Sequence, residues 1–189
     1  MKLLEDRILA EGKISAGDIL RVDSFINHRI DVRFATEMAK EVKRLFTGTD
    51  ISLVLTVEAS GISIATLVAQ QLDVPLVFAK KHQTTNLDGQ LYSEPAWSYT
   101  HQKENNIVVS KEYINPGDKV LLVDDFLARG AALTALSKIV EKAGATVAGA
   151  AVVIEKEYQG GGNALRAKGI RVEALAKIMK LSEDGIVFG

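Results

Sequence analysis

Cysteine is absent from the chain, which excludes disulfides and thiolate metal sites and fits a reducing compartment such as the cytoplasm. With three histidines, little is available for a metal cluster, and no metal site built from protein ligands is expected. The charge is nearly balanced, at −1 overall, so the basic surplus that draws a protein to nucleic acid is missing. Long apolar runs are missing too. No stretch reaches the roughly 18 residues of a membrane span. The N-terminal "MKLLEDRILAEGKI" carries acids every few residues instead of the apolar core of about 7 to 15 residues that a signal peptide needs. A cytoplasmic protein with no membrane association is expected. Its 189 residues suit one domain over residues 1–189, and a domain of that size buries roughly 70% of the surface its unfolded chain exposes.

What is present is a regular alternation. From Asp31 to Phe46 the apolar residues Phe34, Met38, Val42, Leu45 and Phe46 recur at helical spacing, and Gly48 marks the stop. "SLVLTV" (Ser52 to Val57) is a continuous strand-like run, "ISIATLVAQQLD" reads as a helix, and "PLVFAKK" is a second buried run. The pattern resumes with "NIVVS", "KVLLVDD", a helix from about Ala131 to Ala143, "TVAGAAVVIEK" and "RVEALAKI". Strands without polar alternation, interleaved with helices, predict an α/β fold with a mainly parallel sheet flanked by helices on both faces. Ligands of such sheets bind beyond the carboxyl ends of the strands.

The polar span from His82 to Asn106 breaks this rhythm. It lacks a helical stripe and carries Tyr92, Trp97 and Tyr99. Loops of this length inside a compact domain are commonly functional. The span reads as a flexible lid, with a hairpin whose aromatics pack on the domain as the alternative.

The densest signal is "DKVLLVDDFLARGAAL" (Asp118 to Leu133). An apolar strand runs into adjacent carboxylates, Asp124 and Asp125, then a short loop with Gly130, then a helix. The first turn of a helix has unpaired N–H groups and the positive end of the dipole, a ready anion site, and Arg129 can add a guanidinium. Two Asp residues beside a bound phosphate are placed to accept hydrogen bonds from vicinal ribose hydroxyls. A plain acidic turn before a helix is the alternative. Neither GxxxxGK[ST] nor GxGxxG is present.

An apolar run, "VDD", one or two apolar residues and a small-residue loop opening a helix resemble the motif by which type I phosphoribosyltransferases bind 5-phosphoribosyl 1-diphosphate (PRPP). The resemblance extends from about Leu3 to Ile178, and it is greatest with the bacterial branch acting on xanthine. It implies that Asp124 and Asp125 hold the ribose hydroxyls and that Ala128, Arg129, Gly130, Ala131 and Ala132 cradle the 5′-phosphate. Many relatives carry hydroxyl side chains in that loop. Here Ala128, Ala131 and Ala132 supply none, which leaves the task to backbone amides and Arg129.

By the same resemblance Ala59, Ser60 and Gly61 form the diphosphate loop, although an ordinary strand-to-helix turn capped by Ser60 is also compatible with "VEASG". A lysine then meets the diphosphate. Lys81 is favoured over Lys80, though neighbours on a strand point to opposite faces and nothing in the sequence says which points inward. The long span matches the hood that closes over PRPP. At the base, the resemblance makes Lys156 the contact for the 6-oxo group of a purine, with a solvated strand-end lysine as the alternative. It places Leu20, through its backbone, and Asn27, through its amide, in a pocket formed by the N-terminal segment, about residues 1–30. Mg²⁺ accompanying PRPP and a homodimer are implied likewise. A phosphoribosyltransferase for another base and a PRPP-sensing regulator remain as alternatives.

Overall fold

The protein is described by a computed structural model covering residues 1–15, 19–81, 90–98, 103–182 and 185–189. The N-terminal segment comprises helix α1 (Lys2–Glu11), strands β1 (Lys13–Ser15) and β2 (Ile19–Arg21), paired antiparallel, and a π-helical turn at Asp23–Asn27. Leu4 and Ile8, four residues apart on α1, are fully buried and explain why a short, charge-rich segment docks as a helix. The next helix, α2 (Val32–Leu45), begins where the Asp31 carboxylate accepts the Phe34 N–H, an N-cap bond worth about 1 kcal/mol. Its buried face is Phe34, Ala35, Met38, Ala39 and Val42. Truncating a buried Met such as Met38 to Ala costs about 2 to 5 kcal/mol in cores of this kind.

The central sheet is built from β3 (Leu53–Val57) and β4 (Leu76–Ala79), bridged by α3 (Gly61–Leu72). β7 (Lys119–Leu127), α4 (Ala131–Lys142), β8 (Thr146–Lys156), α5 (Gly161–Ala167) and β9 (Val172–Ser182) follow an intervening antiparallel ribbon of β5 (Leu91–Ser98) and β6 (Lys103–Ser110). β10 (Gly185–Phe188) closes the chain. The sheet order is β10-β9-β8-β7-β3-β4. All neighbours are parallel except β10 against β9, so the mainly parallel sheet is as expected.

Two apolar cores lie on the two faces. One collects α1, α2 and α3 around Leu121, Val123 and Val153, and the other collects α4, Leu165 of α5 and the ribbon around Val120, Leu122 and Val152. Chain order reverses between β3 and β7. From β3 the path goes through α3 on one face to β4, and from β7 it goes through α4 on the other face to β8. The two helices diverge there and open a crevice at the carboxyl ends of β3 and β7.

Three expectations need correction. Residues 82–106 are not loop throughout, because β5 and β6 form a ladder from Leu91↔Ser110 to Ser98↔Lys103. For that part the hairpin alternative describes the structure, while 82–89 and 99–102 of the hood lie outside the described residues. The ribbon rests on α4, with the buried Glu94 paired to Lys138 and Lys142. Trp97 is nevertheless half exposed, so the ribbon's aromatics are only partly packed. Second, the strand does not stop at the carboxylates: pairing of Phe126 with Ile154 and Leu127 with Glu155 carries β7 past them. Third, β9 extends to Ser182, since Leu181 and Lys180 gain partners on β10.

Candidate active site

The carboxyl-terminal half of β7 carries both carboxylates toward the crevice. Asp124 and Asp125 are each 7% exposed, and the main-chain N–H of Asp125 donates to Asp124 Oδ1 at 2.9 Å. Burial first, and then the neighbouring charge of Asp125, hold the Asp124 carboxyl well above the ordinary carboxylate range, against the opposing pull of the Asp125 N–H and the Lys81 ammonium. Two carboxylates kept dry within a strand carry a desolvation cost. A turn that only needed hydration would leave them in water. The plain acidic turn is therefore a poor description of this geometry.

The neighbouring loop presents backbone. Gly130 is the N-cap of α4 in the left-handed region, at φ 76° and ψ 15°, and no side chain caps the helix. The first turn, through Ala131 and Ala132, thus offers N–H groups and the positive dipole end to an anion. Hydroxyls are missing from this loop, as its sequence requires, and Arg129 stands exposed beside it. The Ala128 carbonyl is engaged elsewhere, accepting the Gly161 N–H at 3.1 Å.

Across the crevice, the loop after β3 packs directly on Asp124. A Cβ added to Gly61 would lie 2.4 Å from Thr56 Oγ1 and 2.9 Å from Asp124 Oδ1, so only glycine lets the first turn of α3 approach the carboxylate. Ser60 occupies the N-cap position of α3 but makes no capping bond, which removes the ordinary-cap alternative. Ala59 is exposed, and the Glu58–Ala59 peptide is cis. The main-chain N–H of Lys81 donates to Glu58 Oε1 at 2.7 Å, tying the loop to the end of β4. The Lys81 charge acts on Asp124. Lys80 instead bridges Val108 of β6 through its backbone and lines an apolar recess of about 340 Å³ with Phe78 and Tyr113.

On the other flank, Lys156 ends β8 with its Nζ 5.8 Å from the ring centroid of Phe126. The N-terminal segment carries Leu20 and Asn27. Leu20 is 5% exposed, with its side chain in the core, and it pairs with Ile14 on β1. Asn27 ends the π-helical turn and is exposed, and no described contact joins it to Lys156 or the acidic pair. Sequence reasoning passed over Glu58 and Phe126. Phe126 had a legible signal, as the one aromatic residue inside the "VDDFLARG" motif; Glu58 had none, because its role depends on a partner 23 residues away.

A carboxylate pair, an uncapped helix start, a glycine turn and a lysine thus converge on one crevice. Residues 23–173 match the phosphoribosyl transferase domain family, and the chain belongs to that family. It is 47% identical over 188 residues to a xanthine phosphoribosyltransferase of Lachnoclostridium phytofermentans, covering 99% of this chain and 97% of that one. It is 49% identical over 189 residues to xanthine phosphoribosyltransferase 2 of Clostridium botulinum, covering 100% of both chains. Among solved structures, the fold resembles an APRTase from Giardia lamblia complexed with 9-deazaadenine, at TM-score 0.80 and 24% identity over 94% of this chain and 98% of that one.

Proposed function

We propose that the protein transfers the phosphoribosyl group of PRPP to xanthine, forming xanthosine 5′-monophosphate and diphosphate in purine salvage. The observation that carries the reading is the buried Asp124–Asp125 pair beside the uncapped start of α4, in a chain whose full-length relatives bear the xanthine enzyme's name.

In this reaction the bond between the anomeric carbon and the diphosphate oxygen breaks, with its electron pair leaving on the diphosphate. A bond to a purine ring nitrogen forms, and that nitrogen releases its proton. Positive charge builds on the ribose ring in between, so catalysis rests on alignment and on neutralising the leaving group. Asp124 and Asp125 accept the ribose hydroxyls and fix the ring. Backbone amides of Gly130, Ala131 and Ala132, aided by Arg129 and the turn at Ala128, hold the 5′-phosphate. Ala59, Ser60 and Gly61 receive the diphosphate with Lys81. Lys156 donates to the 6-oxo group over Phe126, while Asn27 and the Leu20 backbone read the far edge of the base.

Mg²⁺ enters with PRPP as part of the substrate. Among the described residues no group of three or more His, Asp or Glu is arranged to hold a metal. Mg²⁺ takes hard oxygen donors, which the phosphate groups of PRPP would supply, and when bound it would lower the charge of the departing diphosphate. The β5–β6 ribbon serves as the described part of the hood that excludes water from the reacting centre. A homodimer in the cytoplasm completes the picture, on the strength of the family resemblance and the cysteine-free composition. Among the described residues no helix is long and apolar enough to cross a membrane.

The test is to incubate the protein with PRPP, Mg²⁺ and xanthine and to follow both products. Xanthosine 5′-monophosphate and diphosphate should appear in equal amounts. Diphosphate without nucleotide, or neither product, would contradict the assignment.

A further inference from the structure

Behind the phosphate loop lies an ion pair that the reaction as described does not use. Glu155 is 0% exposed. It precedes Lys156 on β8 and stands opposite Leu127, the residue before Ala128, on β7. Arg166 of α5 grips both of its oxygens, from Nη1 at 2.7 Å and Nη2 at 2.8 Å, and Nη2 also donates to the Val172 carbonyl at 3.2 Å.

Helix α5 is held closely between this pair and the loop. A Cβ on Gly162 would lie 1.8 Å from Glu155 Oε1. A Cβ on Gly161 would lie 2.4 Å from the Ala128 carbonyl oxygen, 2.5 Å from the Arg129 carbonyl carbon and 2.6 Å from the Gly130 nitrogen. The glycines of "GGG" therefore bring the helix start against the backbone of residues 128–130 on one side and against the ion pair on the other. Gly160, at φ 78°, makes the turn.

A buried ion pair is a weak source of stability, since apolar residues of the same volume often do as well or better. Its two-point geometry does supply direction, and the direction is fixed here where α5 meets the loop. We propose that Glu155 and Arg166 form a positioning pair: they set the height of α5 against residues 128–130, and so hold the backbone that receives the 5′-phosphate. The same pair anchors the strand end that carries Lys156. This rests on the phosphoribosyl-transfer reading, and its test separates the two.

The informative variant is Glu155→Met combined with Arg166→Met, which removes both charges together and leaves none buried alone. Amides of residues 128–132 should then exchange roughly tenfold faster in the free protein, an opening of the loop that needs no turnover to be seen. Ribose 5-phosphate should bind roughly tenfold more weakly and the KM for PRPP should rise in step, while kcat at saturating PRPP falls less than about threefold, because loss of positioning appears chiefly in binding. Arg166→Lys keeps the charge without the fork. It should fall between parent and double variant, and it carries the test if the double variant does not fold. Unchanged loop exchange and unchanged ribose 5-phosphate affinity in a folded variant would overturn the positioning role. A parent protein inactive with every base would instead remove the transfer reading and leave loop exchange to decide the pair's role.

Discussion

The main-chain N–H of Asp125 donates to Oδ1 of Asp124 at 2.9 Å. That contact orients the buried carboxyl group of one residue by the backbone of the next. Replacing Asp125 with Asn leaves this backbone bond intact and, on the proposed reading, removes one carboxylate acceptor from the ribose. A charge-assisted hydrogen bond is worth about 1.5 to 3 kcal/mol, so Asp125→Asn should lower kcat/KM roughly tenfold to a hundredfold. Thermal unfolding should show the fold intact. Unchanged kinetics would dissociate Asp125 from the ribose.

Asp124 makes an opposite prediction for stability. Its folded carboxyl binds a proton more tightly than an ordinary aspartate at 3.8, chiefly through burial. Above pH 3.8 the unfolded chain releases a proton that the folded one retains, so this group's contribution falls as pH rises through that window and is fully present only below it. Asp124→Asn should therefore stabilise the free protein at neutral pH, with an advantage that shrinks toward pH 3.8, while abolishing most turnover. Melting curves from pH 4 upward, compared with those of the parent, check the sign.

Glu94 joins the ribbon to α4, and its hydrogen bond with Lys142, reinforced by Lys138, holds its carboxyl below the ordinary value of 4.5. Its stabilising contribution is present above pH 4.5 and is lost as pH falls through the depressed folded value. In Glu94→Gln the amides of β5 should exchange faster at neutral pH. In the parent, amides of residues 82–106 should slow when PRPP and an unreactive base analogue are added. Full protection in the free protein would exclude closure on substrate.

Selectivity for the base should reside at carbon 2. Xanthine presents an acceptor oxygen there and guanine a donor amine, whereas both offer the 6-oxo group to Lys156. The Asn27 amide can turn an N–H toward that oxygen. A site that hydrogen-bonds a substrate group can reject analogues by up to ~10⁴-fold, so Asn27→Ala should lose xanthine activity in preference to guanine and hypoxanthine. An equal loss on all three would leave Asn27 a shaping residue of its turn.

Much of this site is written locally. The run from Val120 to Val123, the two Asp residues and Gly130 lie within one short stretch of sequence, so strand, acidic pair and helix start could be placed from spacing alone. Gly61 was legible as a turn but not as the close neighbour of Asp124, because that approach arises only where β3 and β7 lie side by side. The same holds for Glu155 and Arg166, which are joined across 11 residues by a sharp glycine turn. The hairpin at β5 and β6 was obscured because polar residues such as Glu104, Asn105 and Asn106 interrupt any alternation. Its ladder is held by backbone pairing and by Lys138 and Lys142 on a helix far along the chain.

Catalytic efficiency measured with PRPP and Mg²⁺ on xanthine, guanine, hypoxanthine and adenine in parallel tests the central claim most directly. Xanthine should lead each of the others by at least about tenfold, the discrimination available from one well-made hydrogen bond. A different base in the lead, or no nucleotide from any base by a protein that still binds PRPP, would contradict the account.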